Sequence, residues 1–435
     1  MVKRVVIVGA GPSGVLLAHY LLCRDDQYHV ELYERLSDPQ TVPFSKSRTY
    51  PLVVNQRGIK ALSKVEGILA AVEAVSLECT GSLNHQKNGK TQLIPRQKPI
   101  LILDRLRLVV TLLKILTKQY NSDRFNIHFN HECQQINFEA KTVTFENTAV
   151  NSIGEVTVAY DLLIGADGVQ SRVREQFLST NQFELEKKYV HSAYKSIFLP
   201  AENATSLKAG YIHTWRGNDG ISAILAHDVD GLMSGTVNFP RENNPIVNFS
   251  TKEEVWQFFR DRFPEIAELL SESEIEAFLN RPISTISTIR CNRYHHGDSV
   301  LLIGDAAHAT SPSLGQGCNA AFEDVAFLNK LLDEYSDNIA DAIKQFSLRR
   351  KPDAHALVEL SDYAFPLSNK LMSIEFLIRL RATQIMHQVF PQFFPPSLLQ
   401  LVSETTVPYS EIVNSYKGWI SRVKQANEKF LEKQR

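Results

Sequence analysis

Paired cysteines are missing from this 435-residue chain: its five, Cys23, Cys79, Cys133, Cys291 and Cys318, are scattered, odd in number and free of C-x-x-C spacing. That pattern argues against a disulfide framework and against a structural zinc site, and it fits a reducing cytoplasm. Long apolar runs are missing too. None approaches the roughly 18 residues of a membrane span, so no transmembrane segment is expected. The chain opens almost directly on a strand, so no signal peptide is expected. Charge of one sign is equally scarce. Lys+Arg 47 against Asp+Glu 48 leaves −1, too weak a field to favour nucleic acid or an anionic membrane. No internal repeat, low-complexity tract or long linker interrupts the chain. A hydrophobic content of 43% over this length is ample for two domains around a large core.

Three separated stretches carry chemistry. The first is a β-branched run, Val5 to Val8, that ends in Gly9-Ala10-Gly11-Pro12-Ser13-Gly14 and continues into an apolar helical pattern. In such a turn Gly9 permits the bend, Gly11 admits a pyrophosphate to the backbone, and Gly14 lets helix pack on strand. The helix N-terminus, opened by Pro12 and Ser13, presents free N–H groups to the anion. A second strand, His29 to Tyr33, ends at Glu34-Arg35, where an acid about 20 residues past the glycines is expected to meet ribose hydroxyls.

The second stretch is Asp161-Leu-Leu-Ile-Gly-Ala-Asp167-Gly168-Val-Gln-Ser-Arg172, a buried strand followed by a polar turn. In the third, Leu301 to Asp324, a strand delivers Asp305 at its C-terminal edge, where it can accept hydrogen bonds from a ribityl chain. The loop Pro312-Ser-Leu314-Gly315-Gln-Gly317-Cys318-Asn319 then enters a helix whose N–H groups suit the electron-rich edge of a reduced flavin. Together the stretches predict FAD in an extended pose. His308 is expected to be a structural hydrogen-bonding residue, Cys318 to pack beside the ring, and Arg48 and Arg105 are cations able to reach the cofactor. No residues at metal-ligand spacing are found, so no metal is expected.

The predicted fold is α/β: a Rossmann-like FAD-binding domain, rebuilt from pieces, with an inserted antiparallel-sheet substrate domain and a helical C-terminal region. The pieces are expected at 1–75, 101–180 and 291–350 for the FAD domain, 76–100 and 181–290 for the substrate domain, and 351–435 for the helices. A helix is expected over about 102–120 and another over 252–270. The substrate pocket is expected around His213, Trp215, Ile224 and Phe239 of the sheet, with Pro312 and Leu314 near the flavin edge.

At these motifs, and through Asn55-Gln56-Arg57-Gly58, His128 to His131 and Tyr189 to Pro200, the sequence resembles the single-component FAD-dependent aromatic hydroxylases, the group A flavoprotein monooxygenases. Within them it is most similar to the kynurenine-hydroxylating branch. The resemblance spans nearly the whole chain. It implies FAD as cofactor, held by Gly9, Gly11, Gly14, Glu34, Arg48, Arg105, Asp305, Gly317, Cys318 and Asn319, with Asp167 and Gly168 in a motif that serves both FAD and NAD(P)H. It implies NAD(P)H as co-substrate and oxygen transfer from a flavin hydroperoxide to an aromatic or alkene carbon of a small molecule, by a monomer or homodimer.

Where the branch binds its amino-acid substrate with polar side chains, this chain aligns Ser82, Arg96, Ala364, Leu367 and Leu398. A less polar substrate is therefore expected, with kynurenine 3-hydroxylation, or an FAD-dependent reductase or dehydrogenase, as alternatives.

Overall fold

The computed structural model describes residues 2–41, 50–86, 89–149, 154–217, 219–242, 244–366 and 370–432. Its first layer is a six-stranded sheet in the order His295–His296, Val300–Leu302, Leu162–Gly165, Lys3–Val8, Tyr28–Glu34, Phe125–Phe129. All neighbours are parallel except the short edge strand. The central strands are apolar and buried on both sides, as strands sandwiched between helices must be. Register sets the function of this sheet. Val8 lies opposite both Gly165 and Tyr33, and Gly165 lies opposite Leu302. The three stretches that follow these strands therefore leave the sheet at one edge.

The second layer is an eight-stranded sheet: Ser284–Cys291, Leu185–Leu199, Met233–Pro240, Ser222–His227, Tyr211–Arg216, Leu77–His85, Thr91–Asp104, Pro51–Val54. One face is covered by the helices Lys252–Arg262, Pro264–Leu269 and Glu272–Asn280, which bury Phe258, Phe259, Phe263 and Phe278 against it. A smaller three-stranded sheet, spanning His131 to Ala159, flanks the first. Five helices from Ile339–Tyr363 to Lys417–Glu432 close the chain. No helix among the described residues is long and apolar enough to cross a membrane.

Four local expectations are corrected. The helix expected from residue 102 begins at Arg105, because Ile102 to Asp104 finish a long strand; the Asp104 carboxylate accepts from the N–H groups of Leu106 and Arg107 and sets the start. The helix expected over 252–270 breaks at Phe263-Pro264, since proline lacks the N–H to continue and forces the preceding residue out of helical geometry, here to φ −137°. Part of the polar segment after Glu34 is a strand, Pro51–Val54, and it belongs to the eight-stranded sheet. The division expected at 350 falls inside the helix Ile339–Tyr363.

Candidate active site

The strand Lys3–Val8 turns at Gly9, which has φ +104° and donates its N–H to the Tyr33 carbonyl at 2.7 Å. A Cβ on Gly9 would meet the Ala166 carbonyl at 2.6 Å, and one on Gly14 would meet the Gly9 carbonyl at 2.1 Å. Both glycines are demanded by the protein's own packing. Gly11 is different: a Cβ there would find nothing nearer than Arg105 Nη2 at 3.7 Å, and its φ of −72° suits any residue. The protein leaves that space open.

The helix Pro12–Leu22 starts beside this space with no side-chain cap. So does Gly317–Glu334, across the cleft. Elsewhere capping is the habit of this chain, with Asn55, Asp104, Ser171, Thr251, Ser271, Asn338 and Ser397 each accepting from their helix. Two uncapped helix ends at one cleft present two sets of free N–H groups to an anion. Ser13 is buried against Gly304, whose Cβ would lie 3.2 Å from its Oγ. Glu34 accepts from the N–H of Ala10 at 2.8 Å and of Leu36 at 2.9 Å, tying the glycine turn to the end of the second strand. Arg35 is exposed next to it. Arg48 lies outside the described residues.

Gly304 (φ +57°) swings the third stretch over the same edge. Asp305 follows, on the floor of the cleft, and makes no hydrogen bond or ion pair to any described residue. The protein around it raises its pKa by desolvation, opposed by His308 and Arg105. Among the described residues it is an unengaged acceptor. Gly317 stands beside it, its virtual Cβ 3.8 Å from Asp305 Oδ1. Burial pushes the half-buried Cys318 thiol up to about 12, so it stays protonated and unreactive. Alkylation by iodoacetamide at pH 8 should accordingly reach the exposed Cys23 well before Cys318; preferential labelling of Cys318, read by peptide mass, would contradict this environment.

Pro312 is exposed, Gly315 has φ +64°, and Leu314 packs against the apolar cluster of the C-terminal helices. Asn319 has its side chain fully used: it accepts from Asn55 N–H at 2.9 Å and donates to the carbonyls of Val53 at 2.8 Å and Gly315 at 3.1 Å. It is a clamp on the loop. Asp167 accepts from the N–H groups of Arg172 and Val173, leaving Oδ1 buried and unpartnered.

Sequence reading misses the hub beneath this edge. Asp324, wholly buried, accepts from Gly304 N–H at 2.8 Å, from Arg350 Nε at 2.7 Å, and pairs with His308 Nε2 at 2.6 Å. Its signal was an acid on the apolar stripe of a helix, in line with Ala321, Val325 and Leu328. Arg174 similarly donates to the carbonyls of Ala306 and Val169, binding the second stretch to the third. Tyr409 and Asn55 both donate to Gln316 Oε1, at 3.0 and 2.8 Å, which ties the C-terminal helices to the glycine-rich loop.

The expected sheet wall divides between two faces. His213, Trp215 and Phe239 face the helices that cover the sheet: Phe239 and Trp215 lie in that core, Trp215 Nε1 donates to Glu265 at 2.9 Å, and His213 bonds His85 and the Lys208 carbonyl, each at 2.9 Å. Ile224 pairs with Thr214 and Thr236 on the opposite face and is 40% exposed. Strand alternation separates them, because neighbouring residues point to opposite sides of the sheet. The face carrying Ile224 also carries Tyr194. Tyr50 lies within electrostatic reach of Tyr194, Arg105, Asp305 and Cys318, so this is the face turned to the strand-end edge.

The model of the family described as FAD binding domain matches residues 3–361. The chain is 30% identical over 421 residues to a kynurenine 3-monooxygenase of Flavobacterium psychrophilum, covering 94% of this chain and 90% of that one. It is also 30% identical over 434 residues to one of Salinispora tropica, covering 98% and 93%. Among solved structures it superposes on 2-methyl-3-hydroxypyridine-5-carboxylic acid oxygenase with a TM-score of 0.68 at 20% identity, covering 86% and 92% of the two chains. On PqsL of P. aeruginosa the score is 0.66 at 18% identity, covering 87% and 100%. The latter two likenesses carry the fold alone. A glycine turn, an unengaged acid and two uncapped helices at one strand-end edge, matched to this family over most of its length, place the chain in the FAD-binding-domain family as an FAD- and NAD(P)H-dependent monooxygenase.

Proposed function

We propose that the chain hydroxylates an aromatic small molecule held between the Tyr194 face of the eight-stranded sheet, the Pro312–Gly315 loop and the C-terminal helices. The observation that carries the cofactor placement is the open space at Gly11 beside the unengaged Asp305. The N–H groups from Pro12 to Gly14 would meet the pyrophosphate, Glu34 the ribose, Asp305 and Arg105 the ribityl side, and the backbone from Gly315 to Asn319 the flavin edge. FAD, when bound, supplies the electron transfer from NAD(P)H and the activation of O2.

The protein's part is to position and to exclude water. Ala364 and Leu398 belong to one buried apolar cluster on the helical side, and the partly buried Leu314 packs against it, which suits an aromatic body and keeps solvent out. Leu367 lies outside the described residues.

Kynurenine 3-hydroxylation is the second reading, favoured by what the curated relatives are named for. Against it, two of the polar residues that a shift of a few positions would bring into the pocket are engaged: Glu375 binds Arg379 and Arg422, and the Tyr409 hydroxyl binds Gln316; the third, Asn369, lies outside the described residues. Losing one partner of a buried charged group costs about 1.5–3 kcal/mol, or roughly 10- to 150-fold in affinity. NAD(P)H oxidation by the FAD-loaded protein should therefore respond to aromatic compounds without an amino-acid group, while L-kynurenine gives slow turnover ending in peroxide. Efficient 3-hydroxykynurenine formation with little peroxide would establish the second reading instead.

A further inference from the structure

The helix Lys370–Val389 is apolar on two opposite faces. Its inner face is covered: the Phe376 ring packs on Trp419 and Phe365, with centroids 5.6 and 5.2 Å away, and Leu380 is buried. On the outer face Ile374, Leu377, Ile378, Ile385 and Val389 recur at helical spacing, and all are exposed, Ile378 by 63%. A helix that is apolar all round is normally buried on every side. Among the described residues, the cover of this one is one-sided.

The stripe continues into a turn of phenylalanines, where Phe390, Phe393 and Phe394 are exposed, Phe393 by 74%. This turn is held in shape. The N–H groups of Phe393 and Phe394 donate to the Phe390 carbonyl at 3.0 and 3.1 Å, and His387 Nδ1 donates to the Phe394 carbonyl at 2.7 Å. Pro391, Pro395 and Pro396 stiffen it further. From Ile374 to Val389 the stripe runs about 22 Å along the helix. A continuous apolar patch of this extent on a fixed backbone marks an interaction surface.

Charge selects the occupant. Glu375 is the only acid between Asp362 and Glu404, and Arg379 and Arg422 both bind it, each at 2.7 Å. Arg381 lies on the stripe itself, exposed between Ile378 and Ile385. The overall charge of −1 conceals this local excess of cations. A second copy laid on the stripe about a two-fold axis would bring its own Arg381 to the same apolar centre, with no free acid to receive either. A lipid surface with anionic headgroups receives both kinds of side chain: the guanidinium stays at phosphate depth on its long stem while the isoleucines and phenylalanines enter below it. No helix among the described residues is long and apolar enough to cross a membrane, so this one would lie in the interface.

We propose that the outer face of the helix Lys370–Val389, with the turn from Phe390 to Phe394, docks this protein on an anionic lipid surface.

The test is flotation of the FAD-loaded protein with two kinds of vesicle, phosphatidylcholine alone and phosphatidylcholine with about a third phosphatidylglycerol. The wild type should bind the anionic vesicles about tenfold or more tighter than the neutral ones. Ile378→Ser combined with Phe393→Ser should weaken that binding by about tenfold or more. Arg381→Glu should weaken it by about fivefold or more and change binding to neutral vesicles little. Both variants alter exposed side chains, so FAD content and the urea midpoint should stay at the wild-type values. The proposal is overturned if the wild type stays off the anionic vesicles, if it binds both kinds alike, or if the variants bind as the wild type does. Light scattering that finds a dimer, converted to monomer by the serine variant, would overturn it in favour of a second copy as the occupant.

Discussion

Replacing Asp324 with alanine is expected to cost about 3–5 kcal/mol, the usual price of stripping one partner from a buried ion pair, and to leave the protein with little of its FAD. The carboxylate is fully buried and holds three groups at once: Arg350, His308 and the N–H of Gly304. Without it the Arg350 guanidinium keeps Glu323 and Asp353 but loses its nearest acid. The Gly304 turn loses the tether that places Asp305. Asp324→Asn keeps the shape and one acceptor, so it should lose less stability and retain more flavin.

The ion pairing has a pH signature. Burial alone would raise the Asp324 pKa, but His308 and Arg350 outweigh it and hold the group below its ordinary 3.8. A depressed carboxylate contributes its full stabilisation above the ordinary value and loses it as pH falls through the native one. The stability gap between wild type and Asp324→Asn, read from urea midpoints, should shrink as pH falls below about pH 4. A gap that widened on acidification would contradict the pairing.

Gly11→Val should produce the opposite dissociation, a folded protein that cannot hold its cofactor. Because the position is open and its backbone conformation ordinary, the apoprotein should keep its circular dichroism and urea midpoint. The side chain would occupy the approach to the helix N–H groups, and losing two or more such contacts lowers FAD affinity by about a hundredfold. Gly14→Val, which collides with the Gly9 carbonyl, should instead fail to fold. Undiminished FAD binding by Gly11→Val would move the pyrophosphate away from this turn.

How far the sequence could be read depended on whether the information was local. The glycine turn and the strands before Gly9, Ala166 and Gly304 are short, periodic and punctuated, so both the parallel sheet and the edge where they converge were legible. The phase of a strand within its sheet was not. His213, Trp215 and Phe239 looked like pocket residues because a cavity wall and a helix-covered core ask for the same apolar types. The hub at Asp324 is hidden in the sequence for a related reason: it is a charged residue whose meaning lies in partners far away in the chain. Asn319 shows the limit of reading a motif residue by residue, since its side chain holds the loop and only its backbone is left for a ligand.

The central claim is that this chain places an oxygen atom from O2 into an organic substrate. It is tested most directly by supplying NAD(P)H, isotopically labelled O2 and a panel of aromatic and alkene compounds to the FAD-loaded protein, then following the label by mass spectrometry. The account predicts one labelled oxygen in the organic product for the compounds that accelerate NAD(P)H oxidation, and labelled peroxide without them. Label confined to water or peroxide for every compound, alongside a desaturated or reduced organic product, would contradict it and identify a reductase or dehydrogenase built on the same fold.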